Sequence, residues 1–170
     1  MNNLILVRHG QSLWNKERRF TGWADIDLTE QGKSEAEYAG KLIKKLNIEF
    51  HAYFTSQLKR AKNSLDIILK ILNKPNAEVI NAWELNERHY GDLTGLNKDE
   101  MMKKHGIKQV QIWRRSFNIS PPPMKLSNPY HPSKNKIYAN IPIDKIPNSE
   151  SLKKKYSTLV GMGGQGLKTT

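Results

Sequence analysis

At 170 residues the chain has the size of one domain, and a hydrophobic share of 37% lifts it above the range of disordered chains. It has no cysteine, which excludes disulfides and thiolate metal sites, and no apolar run approaches the length of a membrane span. The formal net charge of +12 comes mostly from scattered Lys, which reads as solvated surface rather than as a contiguous nucleic-acid face.

The first element is Leu4-Ile5-Leu6-Val7, a short continuous apolar run that predicts a buried, parallel strand. It runs into Arg8-His9-Gly10, and ligand sites of open α/β sheets lie beyond the carboxyl ends of strands. Residues 11–28 lack periodicity and read as a loop. Thr29 is placed to cap a helix over 30–46, where Ala36, Ala39, Ile43 and Leu46 recur at helical spacing. A second strand is expected at 52–55. Leu58, Ala61, Leu65, Ile68 and Leu72 then form a helical stripe, stopped by Asn73-Lys74-Pro75. A third strand is expected near Val79 and Ile80. Alternation of strands and helices points to an α/β fold with a mainly parallel sheet.

Composition shifts after residue 116. Seven of the eight prolines fall between Pro121 and Pro147, which predicts a long irregular loop, either a lid or disordered. Ser149-Glu150-Ser151-Leu152 resembles a helix start. Beyond it, Gly161, Gly163, Gly164 and Gly166 with no amphipathic pattern predict an unstructured tail over 153–170. The glycines do not make a phosphate loop, because no strand and no Gly-Lys-Ser/Thr ending accompany them.

The chemistry concentrates at the few arginines. Against 21 Lys there are 7 Arg, and a planar guanidinium fork suits phosphate and carboxylate in a way that an ammonium does not. A histidine beside Arg8 at a strand end is suited to accept a phosphoryl group, since neutral imidazole is nucleophilic near pH 7. Gly10 would let backbone approach closely. His51, His89 and His131 lack the strand-end setting. His105-Gly106 repeats the dipeptide, but it follows the polar stretch Lys98–Lys104, a surface helix by its composition.

The context of Arg8-His9-Gly10-Gln11-Ser12 is more specific. In order follow Trp14-Asn15, Phe20-Thr21-Gly22-Trp23, Asp27-Leu28-Thr29-Glu30-Gln31-Gly32, Thr55-Ser56 with Leu58-Lys59-Arg60-Ala61, and Leu85-Asn86-Glu87-Arg88-His89-Tyr90-Gly91. Gly95-Leu96-Asn97-Lys98, Trp113-Arg114-Arg115-Ser116-Phe117 and Pro121-Pro122-Pro123-Met124 complete the set. Taken together, residues 3–152 closely resemble the cofactor-dependent phosphoglycerate mutases of the histidine phosphatase superfamily.

The resemblance implies a three-layer, phosphoglycerate-mutase-like domain over 1–152. It implies interconversion of 3-phosphoglycerate and 2-phosphoglycerate in glycolysis and gluconeogenesis, primed by 2,3-bisphosphoglycerate and without metal. His9 matches the phosphorylated nucleophile, and Arg8 and Arg60 match the phosphate-pocket arginines. Glu87 matches the general acid/base, with a plain ion pair to Arg88 or Arg60 as its bland alternative. Ser12, Asn15, Thr21 and Gly22 match residues around phosphate and substrate. Arg88, Tyr90, Lys98, Arg114 and Arg115 match the substrate grip, and an exposed basic turn is the bland alternative for the last two. The implied partner is a small phosphorylated anion in the cytoplasm, with no nucleic acid and no membrane, and homo-oligomerisation is left open. Family members continue into a further core strand ending in a second His-Gly. That part is expected to be missing, with the tail arising from a truncated or frameshifted end, and strand 4–7 would then expose an unpaired edge. Two other readings stand beside the mutase: a phosphatase of the same superfamily, and a non-catalytic remnant that binds anions or a partner chain.

Overall fold

The computed structural model describes residues 3–164. The chain divides into two compact units, Met1–Lys16 with Asp25–Ala82, and Glu17–Ala24 with Trp83–Thr170.

The first unit is built on a strand–helix–strand segment. A single turn, α1 (Leu13–Lys16), lies within the expected loop and buries Trp14. Helix α2 (Glu30–Lys45) starts as its sequence predicts: Thr29 is extended, and its hydroxyl accepts from Gly32 N at 3.1 Å. Strand β1 (Tyr53–Thr55), helix α3 (Lys59–Ile71) and strand β2 (Val79–Asn81) follow. β1 and β2 pair in parallel, with Tyr53 opposite Val79, Phe54 opposite Ile80 and Thr55 opposite Asn81. Asn73 ends α3 in a left-handed conformation (φ 60°), and Lys74 N returns to Leu69 O at 2.9 Å.

The two helices pack face to face. Ala36, Gly40 and Ile43 of α2 are buried, as are Ser64, Ile68 and Leu69 of α3. Gly40 sets their separation: a Cβ there would lie 3.0 Å from Ile71 Cδ1 and 3.3 Å from the Ile68 backbone.

The expected strand at 4–7 is not formed. Leu4 and Leu6 are 81% and 85% exposed, and the one sheet among the described residues is the β1–β2 pair. The apolar run signals a need for burial, but a strand exists only where a neighbour supplies ladder hydrogen bonds. No described residue does so here.

The second unit centres on Phe20, Leu93, Met101 and Val110, with Tyr90, Met102 and Trp113 against them. Helix α4 (Lys98–His105) is capped by the Asn97 side chain, and α5 (Ile107–Arg115) follows across Gly106, whose φ of 82° suits glycine. His105 thus ends a helix, as its polar context predicts. The proline-rich stretch is irregular but neither open nor detached. It makes 3-10 turns at Pro132–Lys134, Lys136–Tyr138 and Ile143–Lys145, and it buries Met124, His131, Tyr138 and Ile141. Trp23 packs between Trp83, His89 and Tyr138 at centroid distances of 6.1, 5.8 and 5.0 Å.

Where the sequence predicts an unstructured tail, helix α6 (Leu152–Gly164) forms instead. Ser151 Oγ accepts from Lys154 N at 3.2 Å, and Lys155 Nζ donates to Glu84 O at 2.8 Å. The helix has no clean apolar stripe because Tyr156 and Val160 are exposed, so periodicity could not reveal it. The last stretch of the expected tail, residues 165–170 with Gly166, lies outside the described residues.

This packing sets two expectations for stability. Gly40→Val should push α2 off α3 and lower unfolding stability by about 1–3 kcal/mol, read as a drop in the urea midpoint. The second concerns His89, which is fully buried: Nδ1 accepts from Gly91 N at 2.9 Å, and Nε2 has no hydrogen-bond partner among the described residues. Burial, aided by the nearby His131, lowers its pKa from 6.5 to about 4. The unfolded chain therefore takes up the proton first as pH falls. Stability is whole above pH 6.5 and is lost between 6.5 and 4, by about 3 kcal/mol from this group. Urea titrations across that window should show the fall, and it should be shallower in His89→Gln.

Candidate active site

His9 is half-buried in the first unit, directly after the exposed apolar run. Its Nδ1 lies 2.7 Å from the carbonyl oxygen of Gly10, and its Nε2 accepts from Arg60 Nε at 3.2 Å. Arginine stays protonated in proteins and can only donate, so Nε2 must carry the lone pair and Nδ1 the proton. Burial is the main cause that lowers the His9 pKa from 6.5 to about 4, and the Arg60 and Arg8 charges add to it. The ring is neutral at pH 7, with its nucleophilic nitrogen turned to a guanidinium.

Arg60 sits on the first turn of α3 and is fully buried. Ser64, one turn on, donates to Arg60 O at 2.7 Å and accepts from Gly10 N at 3.2 Å. The His9 loop is thus tied to the helix that carries Arg60. On its other side the loop presses on the start of α2. A Cβ on Gly10 would stand 2.0 Å from Gly32 O, and one on Gly32 would stand 2.1 Å from Gln11 O. Two glycines in contact are the condition for this approach. Arg8, by contrast, is exposed.

Ser12 and Asn15 are also in the first unit. They bond reciprocally, Ser12 N to Asn15 Oδ1 and Asn15 N to Ser12 Oγ, each at 3.2 Å. Ser12 is fully buried, so its hydroxyl acts on the α1 turn.

The remaining residues expected at the site belong to the second unit. Thr21 is buried, and its hydroxyl has no hydrogen-bond partner among the described residues. Gly22 has φ 53°, with the Arg88 carbonyl and Tyr90 N 3.1 Å from where a Cβ would be. Glu87 is partly buried. The Arg88 guanidinium is buried among carbonyls: it donates to Glu150 O at 3.3 Å, Trp113 O at 3.0 Å and Arg114 O at 2.9 Å. It also stacks on Tyr90, whose ring lies 5.2 Å from Phe20. Lys98 Nζ is 5.8 Å from the Phe20 ring. Arg114 and Arg115 end α5, the first half-buried and the second exposed.

Sequence reasoning overlooked Ser64 and Glu35. Ser64 gave only a weak hint, as a polar residue one turn after Arg60 on an otherwise apolar stripe. Glu35 carried no signal, because an acidic residue early in an exposed helix face is commonplace.

Residues 4–130 match the family described as the histidine phosphatase superfamily, branch 1. A 2,3-bisphosphoglycerate-dependent phosphoglycerate mutase of Hydrogenobaculum sp. is 52% identical over 153 residues, covering 90% of this chain and 62% of the relative. The corresponding protein of Pelagibacter ubique is 51% identical over 160 residues, covering 94% of this chain and 67% of the relative. The chain therefore spans about two thirds of the length of these relatives. Among solved structures, a mycobacterial glucosyl-3-phosphoglycerate phosphatase superposes with a TM-score of 0.57 at 25% identity, covering 66% of this chain and 53% of that one.

If Arg60 acts on Nε2 as the geometry indicates, removing its charge must ease protonation of the ring. Arg60→Met should raise the His9 pKa from about 4 part of the way toward 6.5, since burial remains. An NMR titration of the His9 ring protons reads this directly.

Proposed function

The chain belongs to branch 1 of the histidine phosphatase superfamily, and from that premise we propose that it works as a 2,3-bisphosphoglycerate-primed phosphoglycerate mutase. The observation that carries the proposal is the His9 ring, neutral, with its Nδ1 proton held by Gly10 O and its Nε2 lone pair facing the buried Arg60. Half-identity to chains bearing that enzyme name supports it.

In this reading the His9 Nε2 lone pair attacks the phosphorus of a bisphosphorylated glycerate, and the P–N bond forms as the P–O bond to the donor breaks. Arg60 moves its donation from Nε2 to the phosphoryl oxygens as charge develops on them. Donors held ready in this way usually supply more of an enzyme's rate than any other single effect. Arg8, exposed beside the ring, meets the incoming anion. Glu87 handles the proton of the substrate hydroxyl, and the roles of binding phosphate and substrate fall to Ser12 and Asn15 of the first unit and to Thr21 and Gly22 of the second. Arg88, Tyr90, Lys98, Arg114 and Arg115 serve the substrate's anionic groups. The reading requires no metal, places the protein in the cytoplasm, and leaves a homo-oligomer open.

Incubation with 2,3-bisphosphoglycerate should give an acid-labile phosphohistidine at one equivalent per chain, absent in His9→Ala. Added 3-phosphoglycerate should discharge it to a bisphosphorylated product. Discharge to water alone would favour the phosphatase, and no labelling at all would sink both enzymatic readings.

A further inference from the structure

The carbonyl that holds His9 belongs to the peptide group joining Gly10 to Gln11. The N–H of that same group, on Gln11, donates to Glu35 Oε2 at 2.8 Å. The other carboxylate oxygen, Oε1, accepts from Gln31 Nε2 at 2.8 Å, which fixes the side chain on α2. One peptide group thus lies between a carboxylate and the imidazole, accepting the Nδ1 proton on one side and donating to Glu35 on the other. The preceding peptide group, between His9 and Gly10, is held by Ser64 through Gly10 N.

We propose that Glu35 and Ser64 are positioning residues for His9: Glu35 acts on the imidazole through the Gly10–Gln11 peptide group, and Ser64 pins the adjacent group. The physical basis is polarisation along a hydrogen-bonded chain. A carboxylate at the amide N–H draws electron density toward the amide oxygen and strengthens that oxygen as an acceptor, by roughly 10–30% per bond. The stronger acceptor holds Nδ1–H, keeps the lone pair on Nε2 and stabilises the positive ring that forms when Nε2 is phosphorylated. Carboxylates that orient an imidazole directly act in the same sense. Glu35 also acts on the ring through space, favouring its positive form. Thr29 N donates to Gln11 O, the carbonyl of the following peptide group, at 2.9 Å, so the chain just beyond is also tied to the start of α2.

The role rests on His9 being the phosphoryl acceptor, but its test need not. In the full chain labelled with 15N at histidine, the wild-type His9 ring should show a pyrrole-like Nδ1 and a pyridine-like Nε2 at pH 7. Glu35→Ala and Ser64→Ala should both mix the tautomers, while Glu35→Gln, whose amide oxygen can still accept from Gln11 N–H, should keep the wild-type pattern. Phosphorylation by 2,3-bisphosphoglycerate should slow about tenfold in Glu35→Ala, the lower end for loss of a supporting partner, and by less in Glu35→Gln. Glu37→Ala, an exposed neighbour on the same helix, should change neither readout. A merely structural role would lower the melting temperature without moving the tautomer. Wild-type tautomer and rate in a folded Glu35→Ala would overturn the proposal. Should Ser64→Ala fail to fold, Glu35→Ala alone decides. Failure of the wild type to take up phosphate would sink the proposed function, whereas the tautomer pattern would still decide this inference.

Discussion

An arginine inside a protein cannot give up its proton, and this constraint orders everything around His9. With Arg60 Nε donating at 3.2 Å, Nε2 has no choice but to accept, and the ring proton is driven to Nδ1. That proton needs an acceptor, which is Gly10 O. The Gly10 backbone must then sit where α2 begins, which leaves no room for side chains at Gly10 and Gly32. The Thr29 cap of α2, the glycine contacts and the serine on α3 all serve one imidazole orientation. Burial completes the effect by keeping the ring neutral, so that the nucleophilic form needs no further base.

The legibility of this arrangement varied by element. Helices α2 and α3 were clear because each carries an apolar stripe at helical spacing and a recognisable boundary, Thr29 before one and Asn73 after the other. β1 and β2 were legible as short runs that alternate with those helices. The run at 4–7 misled because hydrophobicity reports what a segment would bury, whereas a strand requires a partner. Helix α6 was missed for the opposite reason: the Ser151 hydroxyl at its start and its lysines support a helix, but its glycines and exposed Tyr156 and Val160 erase the periodic signal.

At the site, the motif order singled out Arg8, His9 and Arg60, and the geometry joins His9 to Arg60. What motifs could not supply was the backbone. The peptide groups on either side of Gly10 do much of the holding, and they have no residue type to be recognised by. Glu35 and Ser64 matter through those peptides, so they look like ordinary helix residues until distances are known.

Arg88 has a consequence of a different kind. Its guanidinium bridges carbonyls of Trp113, Arg114 and Glu150, three positions brought together by one planar group. An ammonium has its donors on a single nitrogen and cannot span such a set. The chain has 21 Lys and only 7 Arg, and a drift in composition toward lysine meets a physical floor at position 88. There the arginine is a rivet in the architecture as much as a cation, and codon preference has no lysine to offer in its place.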